Sequence, residues 1–311
     1  MESNLPTALA TAPPQVPFSA GTGRPRTALP PGSCDCHMHV YDSGFPAVPG
    51  AKLLPPDASI DDYRRLQQRT GTRRTVLVTP STYGTDNRCM LAGLAALGSD
   101  ARGVAVVDET VSDAELHRLD RLGVKGIRFN LSLGGHPPAR ALRTLAERIA
   151  PMGWHIQLLA NPDELSSLQS VLLPLPVPLV FDHFGRIAPA DAGTHPAHAL
   201  VLALLRSEKA WVKLSGGYLV SATHRADDPA LDALARSYLE AAPHRVVWGS
   251  DWPHATASAG RHALPDDAAQ VDALARWTAT TEALHRVLVA NPAALYGFAA
   301  PHPISPEETR R

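Results

Sequence analysis

The chain has 311 residues, 44% of them hydrophobic, enough to bury one large core and suited to a single barrel-sized domain with short extensions. Lys plus Arg number 29 and Asp plus Glu 30, a net charge of −1, which excludes the electrostatic footprint of a nucleic-acid binder or of a protein held on an anionic membrane. Three cysteines, Cys34, Cys36 and Cys89, cannot make a disulfide framework and read as buried thiols of a reducing compartment.

Residues 1–30 carry many Pro, Ala and Thr but no basic start followed by an apolar run, so they read as a loose, disordered arm and not as a secretory leader. No stretch reaches the ~18 apolar residues that span a bilayer. A cytoplasmic enzyme is expected, with one domain over 31–300 and a flexible tail over 301–311.

From Ser33 onward, short β-branched or apolar runs alternate with longer stretches of helical composition, the pattern of βα units on a parallel sheet. Strands are expected at 34–40, 75–80, 103–107, 126–130, 155–159, 179–182, 211–215 and 245–250. Helices are expected at 60–69, 87–97, 113–122, 139–150, 163–173, 197–207, 229–241 and 266–279, with a last one at 282–290 before Asn291-Pro292. Eight strands, each followed by a helix, is the count of an α/β chain folded as a (β/α)8 TIM barrel. A doubly wound sheet would carry a G-x-G-x-x-G turn after its first strand. Here that strand runs into Cys36-His37-Met38-His39 instead. The stretches 185–195 and 253–264 read as active-site loops.

Strand side chains alternate, so Asp35, His37 and His39 are expected to point into the barrel and Cys34, Cys36, Met38 and Val40 toward the helices. Polar groups stacked inward carry a desolvation cost that Val or Leu would avoid. Two imidazoles at i and i+2 can converge on one metal ion or one substrate oxygen; the bland alternative is a pair of satisfied core histidines. The run Val246-Val247-Trp248-Gly249-Ser250-Asp251 ends an apolar strand in an acid at the expected C-terminal mouth, where barrel enzymes place catalytic groups. Asp251 there suits a general base for a water, or else caps the next loop.

The run Leu179-Val180-Phe181-Asp182-His183 places another imidazole at the mouth. Arg186 is set to meet a substrate carboxylate or to pair with Asp182. Arg128, ending the fourth strand, can grip a carboxylate with two nitrogens or sit in a surface ion pair, and Asn130 can donate to an oxyanion. Ser81 and Tyr83, after the second strand, are candidate substrate contacts, while Thr85 and Asp86 read as helix caps. Lys213 and Ser215 receive no role.

Taken in order, these residues resemble the amidohydrolase superfamily, through Asp-x-His-x-His on strand one, His183 after strand six and Asp251 after strand eight. Seven runs, at 34–42, 80–88, 126–130, 182–186, 211–216, 249–254 and 291–298, narrow the resemblance to the branch of 2-pyrone-4,6-dicarboxylate hydrolases, 4-sulfomuconolactone hydrolases and D-galactarolactone isomerases. The resemblance implies a barrel that opens lactones or related cyclic esters. It implies Asp251 as the base on the attacking water, His37, His39 and His183 as groups that polarise the carbonyl, and Arg128, Arg186 and Ser81 as holders of a substrate carboxylate.

The chain also departs from the wider superfamily. His155 stands at the start of strand five, the wrong end for a metal ligand, and strand four offers Arg128 where two-metal members carry a lysine. Leu219 stands where relatives often carry arginine, which suits a substrate with fewer negative charges. A site without metal is therefore the first expectation; a single divalent ion such as zinc on His37, His39, His183 and Asp251 is the second. The expected ligand is a small lactone or carboxylate, with no nucleic-acid or membrane partner and a homo-oligomer left open. A lactone isomerase or a metal-dependent decarboxylase on the same scaffold is the alternative activity.

Overall fold

The computed structural model describes residues 15–132 and 138–299. Eight strands form one sheet in chain order: β1 Cys34–Met38, β2 Arg74–Val78, β3 Ala101–Ala105, β4 Val124–Asn130, β5 His155–Leu159, β6 Leu179–Phe181, β7 Ala210–Leu214 and β8 Val246–Trp248. All neighbours are parallel. The ring closes just beyond β8, where Asp251 N donates to His37 O and His39 N donates to Trp252 O, each at 2.8 Å. All eight expected strands are present, as is the barrel they imply.

Helices pack outside the ring because each buries one apolar stripe. Helix Ile60–Thr70 starts in a Ser59/Asp62 capping box, turns Tyr63 and Leu66 inward and ends at Gly71 in the left-handed region, where a side chain would be strained. The helix expected at 163–173 is two short pieces, Pro162–Ser167 and Gln169–Leu172. The last helix does not stop before Asn291-Pro292. A wide π turn over Arg286–Ala290 leads into helix Asn291–Tyr296, so Pro292 falls in a first turn, where its missing N–H costs nothing.

The expected facing of β1 is corrected. Its pairing with β2 advances three residues, Asp35 to Met38, against two, Thr75 to Leu77. This extra residue reverses the alternation partway along the strand. Before it, Cys34 and Cys36 join Val76, Val78, Val104, Val180 and Val247 in a cluster floored by Tyr296 and Phe298, while Asp35 meets the outer helix. After it, His37 and His39 reach the cavity side and Met38 joins the outer core.

The expected loose arm over 1–30 is also corrected from residue 15 on; residues 1–14 and the expected tail over 301–311 lie outside the described residues. Val16 and Ser19 are buried. Pro17 O accepts from Trp252 Nε1 at 2.9 Å, Phe18 sets its ring edge against Trp252, and Ser19 Oγ donates to Asp267 Oδ2 at 2.5 Å. Arg69 donates to Ala20 O and Gly23 O. These contacts satisfy backbone carbonyls that composition alone would have left to water. Among the described residues, no helix is long and apolar enough to cross a membrane.

Asp35 joins the bulge to the closing seam. Its Oδ1 accepts from His37 N and Ser250 N, and its Oδ2 from Ser250 Oγ at 2.6 Å, with Tyr63 OH 3.1 Å away. Burial pushes its carboxyl up to about 6 against the pull of those donors. Asp35→Ala leaves several buried donors without an acceptor and should cost about 3 kcal/mol of stability in denaturant unfolding. Unchanged stability would remove Asp35 from the seam's support.

Candidate active site

A cavity of about 360 Å³ opens at the C-terminal ends of the strands. Its lining includes His39 beyond β1, Arg128 and Asn130 from β4, His183 beyond β6, Tyr218 beyond β7 and Asp251 beyond β8. Two of these sit on strained backbone: His183 at φ 49° and Asp251 at φ 66° are both left-handed without being glycine. At Asp251 this turn lies beside the seam, whose N–H is fixed to His37 O.

The carboxylate of Asp251 is the focus. Its Oδ1 lies 3.5 Å from His37 Nε2, 3.8 Å from His183 Nε2 and 3.9 Å from His39 Nε2. Its Oδ2 accepts the Tyr218 hydroxyl at 2.6 Å. Burial opposes a charge on Asp251, but the three imidazoles and the phenol outweigh it and hold the carboxyl below its ordinary value. Each imidazole is orientated from behind. His39 Nδ1 lies 2.7 Å from Val78 O and must donate to it; His183 Nδ1 meets Ser215 Oγ at 3.0 Å; His37 Nδ1 faces Asp182 Oδ1 at 3.2 Å and Lys213 Nζ at 3.3 Å. Burial, the largest influence on all three, lowers their proton affinity, bringing His39 to about 4.

A buried ionic layer lies beneath. Asp182 Oδ2 accepts from Arg128 Nε at 3.2 Å and from Gln157 Nε2 at 3.0 Å. Lys213, fully buried, donates to Cys36 O at 2.8 Å and to Gln157 Oε1 at 2.7 Å. Burial works against the Asp182 charge, but His37, Lys213 and Arg128 reverse that and hold it well below the usual carboxylate range. Gly249 belongs here because of close approach: a Cβ at that position would stand 2.6 Å from His37 Cβ.

His37, His39, His183 and Asp251 are thus brought together as expected. Arg128, Arg186, Ser81 and Asn130 line the same cavity, with Asn130 Nδ2 donating to Ser81 Oγ at 2.6 Å. Asp182 pairs with Arg128 and not with Arg186, whose Nη1 donates to Leu219 O at 3.2 Å. Tyr83 is not among the lining residues. Its hydroxyl accepts from Asp42 N at 2.9 Å and is turned toward Asp42 O, and Tyr41 lines the cavity instead. His155 packs against Tyr296 at the barrel floor, a structural place.

Sequence reading passed over Tyr218, Gln157, Lys213 and Ser215. A signal existed for three of them, since Lys213 and Ser215 continue the inward period of β7 and Gln157 that of β5. Tyr218 lies in the short turn Gly217–Leu219, where alternation gives no facing.

A closed parallel barrel with three histidines and an aspartate at its C-terminal mouth defines the class of barrel hydrolases built on βα loops. This chain belongs to the amidohydrolase family, whose model, described as Amidohydrolase, matches residues 34–298. It is 35% identical to the 2-pyrone-4,6-dicarboxylate hydrolase of Comamonas testosteroni, over 89% of this chain and 94% of the relative. It is 33% identical to the D-galactarolactone isomerase of Agrobacterium fabrum, over 88% and 93%. A crystal structure from Agrobacterium tumefaciens superposes with a TM-score of 0.79 at 30% identity, covering 89% of this chain and all of that one.

Amidohydrolases often use a divalent metal, and the donor set here fits one ion. His37, His39 and Asp251 offer ligand atoms within 4.8 Å of one another, and His37 Nε2 is 3.3 Å from His39 Nε2. Tetrahedral zinc, with bonds of about 2.0–2.2 Å, places its ligand atoms roughly 3.3–3.6 Å apart. The partners on each Nδ1 are of the kind that orientate metal-bound histidines.

Proposed function

We propose that this protein hydrolyses a lactone or related cyclic ester of a small carboxylic acid. The observation that carries the reading is Asp251 Oδ1 set among the imidazoles of His37, His39 and His183 at a cavity also lined by Arg128 and Arg186. In this reading the arginines hold a substrate carboxylate, with Ser81 and Asn130 beside them, and the ester carbonyl faces the imidazoles. Lys213 is a donor only, so when it donates to His37 Nδ1 the ring carries its proton on Nε2, aimed at the carbonyl oxygen. His183 can present Nε2–H in the same way when Ser215 donates to its Nδ1. These N–H groups stabilise the oxyanion as it forms.

Asp251 takes one proton from the attacking water while the water oxygen bonds to the carbonyl carbon. Collapse of the tetrahedral intermediate breaks the bond to the ring oxygen. Asp251 returns its proton to that leaving oxygen, and the product is an open hydroxy acid. Tyr218 keeps Oδ2 occupied, which leaves Oδ1 as the working oxygen. The name of the Comamonas testosteroni relative, a hydrolase of a pyrone, supports this chemistry, since a 2-pyrone is a cyclic ester.

His37, His39, His183 and Asp251 would hold a single divalent ion such as zinc, which would supply Lewis-acid polarisation of the carbonyl or a more acidic water. Charge favours the site without one. Asp182 and Asp251 already balance Lys213 and Arg128 in the buried centre, and Asp35 adds one further carboxyl, so a divalent ion would still leave positive charge uncompensated there. Lactone isomerisation is the second reading, favoured by the name of the Agrobacterium fabrum relative and by the same proton-moving groups.

A panel of sugar-acid and muconate-type lactones, followed by acid release with a pH dye, should show turnover that Asp251→Asn lowers by about a thousandfold or more. Full activity in that variant would defeat the mechanism. Exhaustive chelation, with elemental analysis of the same sample, should leave turnover within about twofold of the starting value, as the loss of no essential group predicts. Stoichiometric zinc, and activity that leaves and returns with it, would contradict the metal-free reading.

A further inference from the structure

The turn that carries Asp251 is strained at two places, since Asp251 at φ 66° and His254 at φ 59° are both left-handed without being glycine. Such backbone persists only where its surroundings over-determine it. His254 N donates to Asp251 O at 2.7 Å, which ties the two strained residues together. The His254 side chain is fully buried and is not among the residues lining the cavity, although its neighbours Ala255 and Thr256 are. Its Nε2 lies 3.1 Å from Asp267 Oδ2, and its Nδ1 has no hydrogen-bond partner among the described residues, so the Asp267 contact sets the direction of the ring. Tyr218, whose hydroxyl reaches Asp251 Oδ2, sets its ring at 83° to that of His254, with centroids 5.6 Å apart.

Asp267 is the first residue of helix Asp267–Thr278, but Asp266 is the side chain that caps it, accepting from Ala268 N. The Asp267 carboxylate is turned to other work. Its Oδ1 accepts from Gln270 Nε2 at 2.9 Å, and that nitrogen also reaches Ser250 O at 3.3 Å, on the residue before Asp251. Its Oδ2 accepts from Ser19 Oγ at 2.5 Å. Ser19 belongs to the segment ahead of the barrel. The same segment grips Trp252, the residue after Asp251, through Pro17 O and the ring of Phe18. Residues 250, 252 and 254 are thus each fixed from outside the cavity.

We infer that His254 and Asp267 are positioning residues for Asp251, and that the segment from Pro17 to Ser19 is a working part of the same support. It rests on the hydrolase reading for the reaction by which it is followed. The buried pair keeps the Asp251 turn left-handed and backs the Tyr218 ring, and the segment keeps Asp267 and Trp252 in place. Substrate binding, which in that reading belongs to Arg128 and Arg186, does not depend on this support. A displaced base therefore costs rate and not affinity, and a shift of about 1 Å in a reacting group costs on the order of a hundredfold.

Steady-state kinetics of full-chain variants on a lactone that turns over, paired with hydrogen-exchange mass spectrometry without substrate, test this. His254→Leu should lower kcat about a hundredfold with KM within about twofold of the starting value. His254→Gln, which keeps a donor able to reach Asp267, should recover most of that loss. Ser19→Ala and Phe18→Ala leave the barrel's own residues untouched, and each should lower kcat about fivefold at the same KM, the worth of one lost contact. In all but the Gln variant the amides of 250–254 should exchange about tenfold faster or more, with the peptides of β2 to β5 unchanged. Full kcat with slow exchange at 250–254 in the Ser19 and Phe18 variants overturns the inference. So does a rise in KM with kcat kept, or faster exchange spread evenly over all strands, which is general loss of stability. Failure of every lactone to turn over, with exchange at 250–254 still raised in the variants, would instead fault the hydrolase reading alone.

Discussion

The site depends on the seam that closes the barrel. Asp251 N on His37 O and His39 N on Trp252 O are two backbone hydrogen bonds, yet they fix the Asp251 carboxylate and two of the imidazoles around it in one rigid frame. Strands one and eight are the first and last of the ring, more than two hundred residues apart in the chain, and only closure makes them neighbours. The groups that meet there would repel or desolvate one another if left unsupported. The seam, the Asp35 latch and the Gly249 close approach oblige them to stay together.

Electrostatics complete what the seam begins. A buried carboxylate facing three imidazoles retains its charge only if something stabilises it, and the three rings with Tyr218 do so. Beneath them Asp182, Lys213, Arg128 and Gln157 form a buried layer in which each polar group serves another. Such a layer is costly to build but fixes ring orientation and tautomer, the two properties that decide whether an imidazole donates to a carbonyl or offers a lone pair to an ion. His37 is where that choice is made, with a carboxylate and an ammonium both at its Nδ1.

Much of this was legible in the residues. Strand–helix alternation is a period-level property, and it gave the barrel because every strand is short, apolar and bounded by helical sequence. The Asp-x-His-x-His run, His183 and Asp251 stood out because polar residues ending buried strands have few structural uses. The facing of Asp35, Cys34 and Cys36 was not legible, since a single inserted residue in β1 is visible only in its pairing with β2. Neither was Tyr218, which reaches Asp251 from a turn where no periodicity applies. Residues 15–30 looked like a tail by composition, but their carbonyls answer donors on Trp252 and Arg69 that are hundreds or tens of residues away.

The central claim is that water, activated at Asp251, attacks the acyl carbon of a cyclic ester. Turnover in water enriched in heavy oxygen, with the product read by mass spectrometry, tests it most directly. The account predicts one heavy oxygen atom in the newly formed carboxylate and none in the released hydroxyl. An isomeric product without the label, or the label in the hydroxyl, would contradict it.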